Sequence, residues 1–318
     1  MKLLKKEFIY DTQTPVEIPS CHAATLIKTA DGILAAWFGG THEGHDDVQI
    51  YVAHRSDADG TWSAPQCVSV VEPIPNWNPV LFDNGEEILL YYKRSKEIHS
   101  WNTMFTTSRD GGDTWAVPRR LCEDDIDGRG PVKNKPIRLS NGTILAGASF
   151  EQGPWRCFAD ISADNGYTWE QTPFLPVPTE DTEVIQPSLW EDARGVHMLV
   201  RSKNKKIFRS DSTDFGKTWC TLYPIDLPNN NSGIDLVPLP DGRLILAYNP
   251  AGENWGPRNH IALAVSADNG NTWQPLMELE NDPGLHEFSY PCVIAAGNTL
   301  HISYTFDRVN IAYWQIEM

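Results

Sequence analysis

An all-β repeat fold of six similar units is what this 318-residue sequence predicts, and three observations predict it. The first is a motif that returns along the chain. Ser162-Ala163-Asp164-Asn165-Gly166-Tyr167-Thr168-Trp169 has counterparts at Ser108–Trp115, Ser212–Trp219 and Ser266–Trp273, and a version one residue shorter at Ser56–Trp62. The second is the interval: the motif serines at 56, 108, 162, 212 and 266 are 52, 54, 50 and 54 residues apart, and a fixed period of that size marks a repeat architecture. Dividing 318 by the mean interval gives close to six units, which uses up the chain and predicts a single domain over residues 1–318. The third is punctuation. Short apolar runs alternate with Gly-bearing turns, and helix signals are nearly absent.

Each unit follows one plan. In the first, an inner strand over 23–27 leads through Asp31-Gly32 to a second strand over 33–38. The matching turns are Asn84-Gly85, Asn141-Gly142, Asp241-Gly242 and Gly297-Asn298, all short hairpin signals, with the looser Glu191–Gly195 in the fourth unit. A third strand precedes each S-x-D-x-G-x-T-W motif and a fourth follows it. Within the motif Ser and Asp can bond their own backbone, Gly tolerates positive φ, and Thr-Trp restarts an extended segment with a large apolar anchor. Residues 7–10 read as a lone strand at one terminus and 310–318 as a strand at the other. Pairing the first into the last unit removes an open edge and explains why that unit lacks the motif.

The motif is identified as the Asp-box of the sialidase-like β-propellers, and the chain resembles that superfamily along its whole length. The resemblance implies a six-bladed β-propeller, closed by the N- and C-terminal strands in the last blade. It also implies that the boxes are scaffold, away from the active site.

Bulk properties limit the partners. A net charge of −16 speaks against nucleic acid and against an anionic membrane surface, because phosphate binding needs clustered Lys and Arg. It leaves an acidic substrate open, since a few local cations reverse the potential inside a pocket. The six cysteines show no C-x-x-C spacing, and the N-terminus has a basic start with no apolar run after it. A cytoplasmic protein with reduced thiols is the expectation.

In a propeller, the starts of the inner strands and the ends of the second strands meet at one mouth. The strand starts offer His22, Asn78, Lys135, Gln186, Asp235 and Tyr290. The second-strand ends add Lys93-Arg94, Phe150-Glu151, Arg201, Asn249, Asp307-Arg308 and a Gly-rich loop carrying His42, Glu43, His45, Asp46 and Asp47. A polar residue at one strand start is ordinarily a cap, whereas six around a common axis indicate a site, and such loops on a rigid scaffold are where function concentrates. The histidines and acids have no regular ligand spacing, so neither metal nor cofactor is expected.

Sialidases hydrolyse terminal sialic acids with a tyrosine nucleophile, a glutamate that activates it, an aspartate acid/base and three arginines on the substrate carboxylate. By resemblance Tyr290 falls on the tyrosine, Arg201 on the second arginine, and Asp47, with Asp46 and Glu43 as alternatives, on the aspartate. His22 takes the place of the first arginine and Gln186 that of the glutamate, and no third arginine stands out. A tyrosine needs a base or a cationic field to act at neutral pH, and Gln186 cannot take its proton. His22 or Asp235 then becomes the candidate base.

The expected activity is an exo-glycosidase removing a terminal acidic sugar, sialic or uronic, from a small glycan. Lys135 and Arg201 bind its carboxylate. Asp47 protonates the leaving oxygen, and Tyr290 attacks or positions water. Asn78, Gln186, Asp235, His45 and Arg94 complete the expected sugar contacts. Two readings stand beside it. One is a uronate lyase in which His22 or Tyr290 takes the C5 proton, and the other is a non-catalytic carbohydrate-binding propeller.

Overall fold

The computed structural model describes residues 1–10, 18–97, 100–123, 125 and 128–318. The chain folds into six four-stranded antiparallel sheets, each made in sequence order except the last. Blade 1 holds β2 (Ser20–Lys28), β3 (Gly32–Gly40), β4 (Gln49–Ser56) and β5 (Gln66–Cys67). Blade 2 holds β6 (Asn76–Asp83), β7 (Ile88–Arg94), β8 (Asn102–Ser108) and β9 (Arg119–Arg120). Blade 3 holds β10 (Ile137–Arg138), β11 (Ile144–Phe150), β12 (Arg156–Ser162) and β13 (Glu170–Gln171). Blade 4 holds β14 (Val184–Asp192), β15 (Gly195–Ser202), β16 (Lys206–Ser212) and β17 (Tyr223–Pro228). Blade 5 holds β18 (Asp235–Pro238), β19 (Leu244–Tyr248), β20 (His260–Ser266) and β21 (Gln274–Asn281). Blade 6 combines β22 (Phe288–Ala296), β23 (Thr299–Phe306) and β24 (Asn310–Glu317) with β1 (Lys2–Phe8) from the other end of the chain.

That closure is the one expected, with a shifted boundary: the N-terminal strand is Lys2–Phe8, not residues 7–10. It runs antiparallel to β24 from Lys2 opposite Glu317 to Phe8 opposite Ala312. Charge hid it, because β1 is an exposed outer strand bearing three lysines, and such residues protect an edge from pairing elsewhere. Ile9 and Tyr10, which suggested the strand, are buried just beyond it, and Tyr10 stacks on Trp37 of blade 1.

The apolar core is a series of layers between neighbouring blades. Leu34, Phe38 and Val52 of blade 1 meet Leu81, Leu90 and Tyr92 of blade 2. Equivalent layers join every following pair around to blades 6 and 1, where Ile294 and Tyr313 meet Leu26 and Trp37. Truncating one such side chain to Ala costs about 2–5 kcal/mol, so the ring is held by all six layers together.

The repeated turns supply the joints. In each, the Asp carboxylate accepts from the Thr backbone N–H and hydroxyl and from the Ser hydroxyl. For Asp164 the distances are 2.9, 2.6 and 2.8 Å. The Gly N–H then donates to the Ser oxygen, as Gly166 does to Ser162 at 2.8 Å. This glycine is required twice over. Its φ is +95°, and a Cβ there would lie 2.5 Å from the Tyr91 hydroxyl of the preceding blade. Gly112 and Gly216 press in the same way on Leu34 and Leu145.

A second repeated irregularity builds the mouth. Ala23, Asn78, Lys133, Gln186 and Tyr290 all have positive φ near the start of their inner strands. In blades 1, 2, 4 and 6 each coincides with a slip in strand register. Holding a non-glycine residue there costs roughly 1–3 kcal/mol and re-aims its side chain out of the pleat.

Candidate functional site

Three of these residues, Asn78, Gln186 and Tyr290, line a cavity of about 420 Å³. Its floor is Tyr290. Arg201, at the end of β15, donates from Nη1 to the Tyr290 hydroxyl at 2.7 Å and to Gln186 Oε1 at 3.2 Å. The Gln186 amide donates to the same hydroxyl at 3.4 Å, and Arg201 Nε is held by Asn231 at 2.8 Å. Two donors therefore converge on the phenol oxygen.

Two further guanidiniums line the cavity. Arg258, ahead of β20, lies 5.8 Å from the centre of the Tyr290 ring and bonds Glu287 at 3.1 Å. Arg308, in the β23–β24 turn, bonds Glu287 at 2.9 Å and also pairs with Glu43. Burial alone would raise the Glu287 carboxyl, but Arg308 and Arg258 outweigh it and hold the group low and ionised. The walls are aromatic: Trp77, Trp101, Trp155 and Trp255 line the same space, and Trp155 and Trp255 both lie against the Arg201 guanidinium.

His22 lies behind Tyr290, ring centres 4.1 Å apart, and is buried with an unpartnered Nδ1. Burial, then Arg308, Arg258 and Arg201, depress its pKa well below the ordinary value, so it is a neutral imidazole. Glu151, just past β11, also lines the cavity, and its Oε1 is enclosed with no hydrogen-bond partner. Burial pushes its carboxyl up to about 7 against the pull of Arg201, Lys93 and Lys203.

Of the residues singled out in the sequence, Tyr290, Arg201, Gln186, Asn78, Glu43, Glu151 and Arg308 line this cavity and His22 packs behind it. The others lie elsewhere. Lys135 forms a pair with Asp235 at 2.6 Å, and Asp235 also accepts from Ser188 Oγ and the Val293 N–H. Neither lines the cavity, and in blade 3 the positive-φ residue is Lys133, two residues before Lys135. Lys133 is buried, donates to the Ile234 and Pro291 carbonyls, and burial pushes its pKa down to about 8. Arg94 pairs with Glu72 outside the cavity. Asp47 is half exposed and bonded to the Thr41 N–H, the Thr41 hydroxyl and His45, and Asp46 is exposed 3.8 Å from Lys96. Among the described residues no cluster of three or more His, Cys, Asp or Glu is arranged to hold a metal ion.

The expectation that no third arginine is present is corrected: Arg258 and Arg308 both face the cavity with Arg201. Arg308 had appeared only as part of Asp307-Arg308, and nothing in the sequence around Arg258 marks it.

Residues 31–302 match the model of the BNR repeat-like domain. The chain belongs to that family. This BNR-repeat chain is 25% identical over 221 residues to a sialidase of Bacteroides fragilis, covering 61% of the chain and 37% of that protein. Its fold is similar to that of a protein of unknown function from Dyadobacter fermentans (TM-score 0.80, 18% identity, 100% of this chain and 99% of that one). It is also similar to a Hadza microbial sialidase (TM-score 0.79, 16% identity, 94% and 66%) and to Trypanosoma rangeli sialidase (TM-score 0.73, 14% identity, 94% and 54%). The last is described as a covalent intermediate with a difluorosialic acid. The chain thus spans little more than a third of the curated relative and about half of the trypanosomal enzyme. It is a divergent, sialidase-like BNR propeller.

Proposed function

We propose that this propeller is an exo-glycosidase that removes a terminal acidic sugar, a sialic or uronic acid, from a small glycan. One observation carries the reading: three guanidiniums, Arg201, Arg258 and Arg308, and the Tyr290 hydroxyl face one cavity. A planar carboxylate is the ligand that several guanidiniums recognise best, by charge-assisted forks. In a sialic acid the anomeric carbon adjoins the carboxylate, and in a uronic acid it lies across the ring oxygen from the carbon that bears it, so either sugar bound there brings that carbon toward the phenol oxygen, to which Arg201 donates at 2.7 Å. The four tryptophans offer apolar faces for the sugar rings. Support also comes from the sialidases with which the chain shares its fold.

A second reading is favoured by the environment of the tyrosine. Gln186 and Arg201 both donate to its oxygen, and His22 behind it is neutral. Such a tyrosine suits proton abstraction from a uronate carbon, giving elimination instead of hydrolysis. Product analysis on a panel of sialosides and uronic-acid oligosaccharides separates the two. A free acidic sugar, lost in Tyr290→Phe while the sugar still binds, supports the glycosidase. An unsaturated product absorbing in the near ultraviolet rejects it for the lyase, and binding without turnover rejects both for a carbohydrate-binding propeller.

A further inference from the structure

We propose that Glu151 is the general acid/base of this cavity, giving a proton to the leaving glycosidic oxygen and recovering one from water. The inference rests on the glycosidase reading above. It follows from what the acids near the site are already doing. Glu43 is engaged by Arg308, and Glu287 by Arg258 and Arg308. Asp47 does not line the cavity, and its carboxylate is occupied by Thr41 and His45. Burial is the largest single influence and opposes its ionisation, but those bonds together outweigh it and hold its pKa below the ordinary value, so at neutral pH it has no proton to give. Asp46 points to Lys96 on the surface.

Glu151 differs from all of these. It faces the cavity and has an enclosed oxygen with no partner, whereas among the described residues the buried carboxylates Glu87, Asp125, Asp160 and Asp235 are all bonded. Desolvation and the absence of a bonded cation leave the carboxyl titrating near neutrality, at about 7. The charged and titratable groups around it are Arg201 and Lys203 of blade 4, Lys93 of blade 2 and the Cys157 thiol of β12. A catalytic acid works best when its pKa lies near the working pH, because it then gives and retakes a proton in one cycle.

As the anomeric C–O bond breaks, its electron pair goes to the leaving oxygen, which takes the Glu151 proton. Water then adds at the anomeric carbon and its proton returns to the Glu151 carboxylate. One glycosidic bond is exchanged for one water, and no oxidant or metal is needed.

The test compares two substrates bearing the same acidic sugar, one linked to another sugar and one to nitrophenol. In Glu151→Gln, kcat falls at least about 100-fold on the sugar-linked substrate and less than about tenfold on the nitrophenyl glycoside, whose leaving group needs no proton. Glu151→Asp restores part of the loss. Should the Gln variant not fold, the unsubstituted protein decides: its kcat must fall above about pH 7 on the sugar-linked substrate alone. Equal losses on both substrates, or none, overturn the role of Glu151 and leave the glycosidase reading standing. No turnover of any acidic glycoside overturns that reading and the role together.

Discussion

Replacing Glu151 by Gln removes a carboxyl that the fold holds in an unfavourable place, so the variant gains stability in alkaline solution. The folded pKa is about 7 and the ordinary value 4.5, a gap of 2.5 units. At about 1.4 kcal/mol per unit this is an upper limit of roughly 3 kcal/mol. The sign follows from proton binding. Between the two values the unfolded chain has lost the proton and the folded one keeps it, so stability declines as pH rises from 4.5 to about 7 and levels off above. The penalty on the unsubstituted protein is therefore about 1 kcal/mol near pH ~5 and about 3 kcal/mol near pH ~8.5. Urea denaturation of both proteins at those two pH values isolates the group, because every other titrating residue cancels in the difference. The variant should gain about 2 kcal/mol more at the higher pH. An equal gain at both means that the carboxyl is solvated or paired, and the reasoning from its enclosed oxygen collapses.

Other groups give separate outcomes. Arg308→Ala strips the cation from Glu43 and Glu287 and turns that wall of the cavity acidic. Affinity for an acidic sugar should drop about 30-fold or more by calorimetry, with Arg308→Lys recovering part; an unchanged affinity places the carboxylate elsewhere. Asp235→Asn leaves Lys135 without its counter-ion beside the buried Lys133, and unfolding free energy should fall by about 3 kcal/mol. A loss below about 1 kcal/mol would show that solvent reaches the pair. Asp110 of a repeated turn is held at about 2, first by the Thr114 hydroxyl and then by the Thr114 N–H. Its contribution is present above 3.8 and disappears as pH falls toward 2, so Asp110→Ala should flatten the acid limb of the stability curve, read by circular dichroism on titration.

The sequence disclosed the ring because repetition is redundant. Five copies of a turn whose Ser, Asp, Gly and Thr all bond one another leave little freedom of interpretation, and their spacing counts the blades. The strand starts were less legible because five of the six carry a positive-φ residue, and that conformation has no residue signature when Ala, Asn, Lys, Gln and Tyr all adopt it. A proline directly after Asn78, Gln186 and Tyr290 marks it in blades 2, 4 and 6. In blade 3 the pair Lys135-Pro136 pointed two residues too far, and Lys135 proved to be bonded to Asp235. The remaining arginines were hidden for different reasons. Arg258 precedes β20 in a connection that has no strand period, and Arg308 occupies a tight turn in which Asp307 and Arg308 both have positive φ, at 51° and 55°. That turn conformation is usually announced by Asn-Gly, and its absence concealed how the guanidinium is presented. Glu151 and Arg201 were both visible as strand ends, and nothing in the sequence tells whether the two pair. Arg201 spends its hydrogen bonds on Asn231, Gln186 and Tyr290. An acid left without a partner is a property of three-dimensional crowding, and that is why the residue proposed here to move the proton is Glu151 and not one of the conspicuous acidic loop.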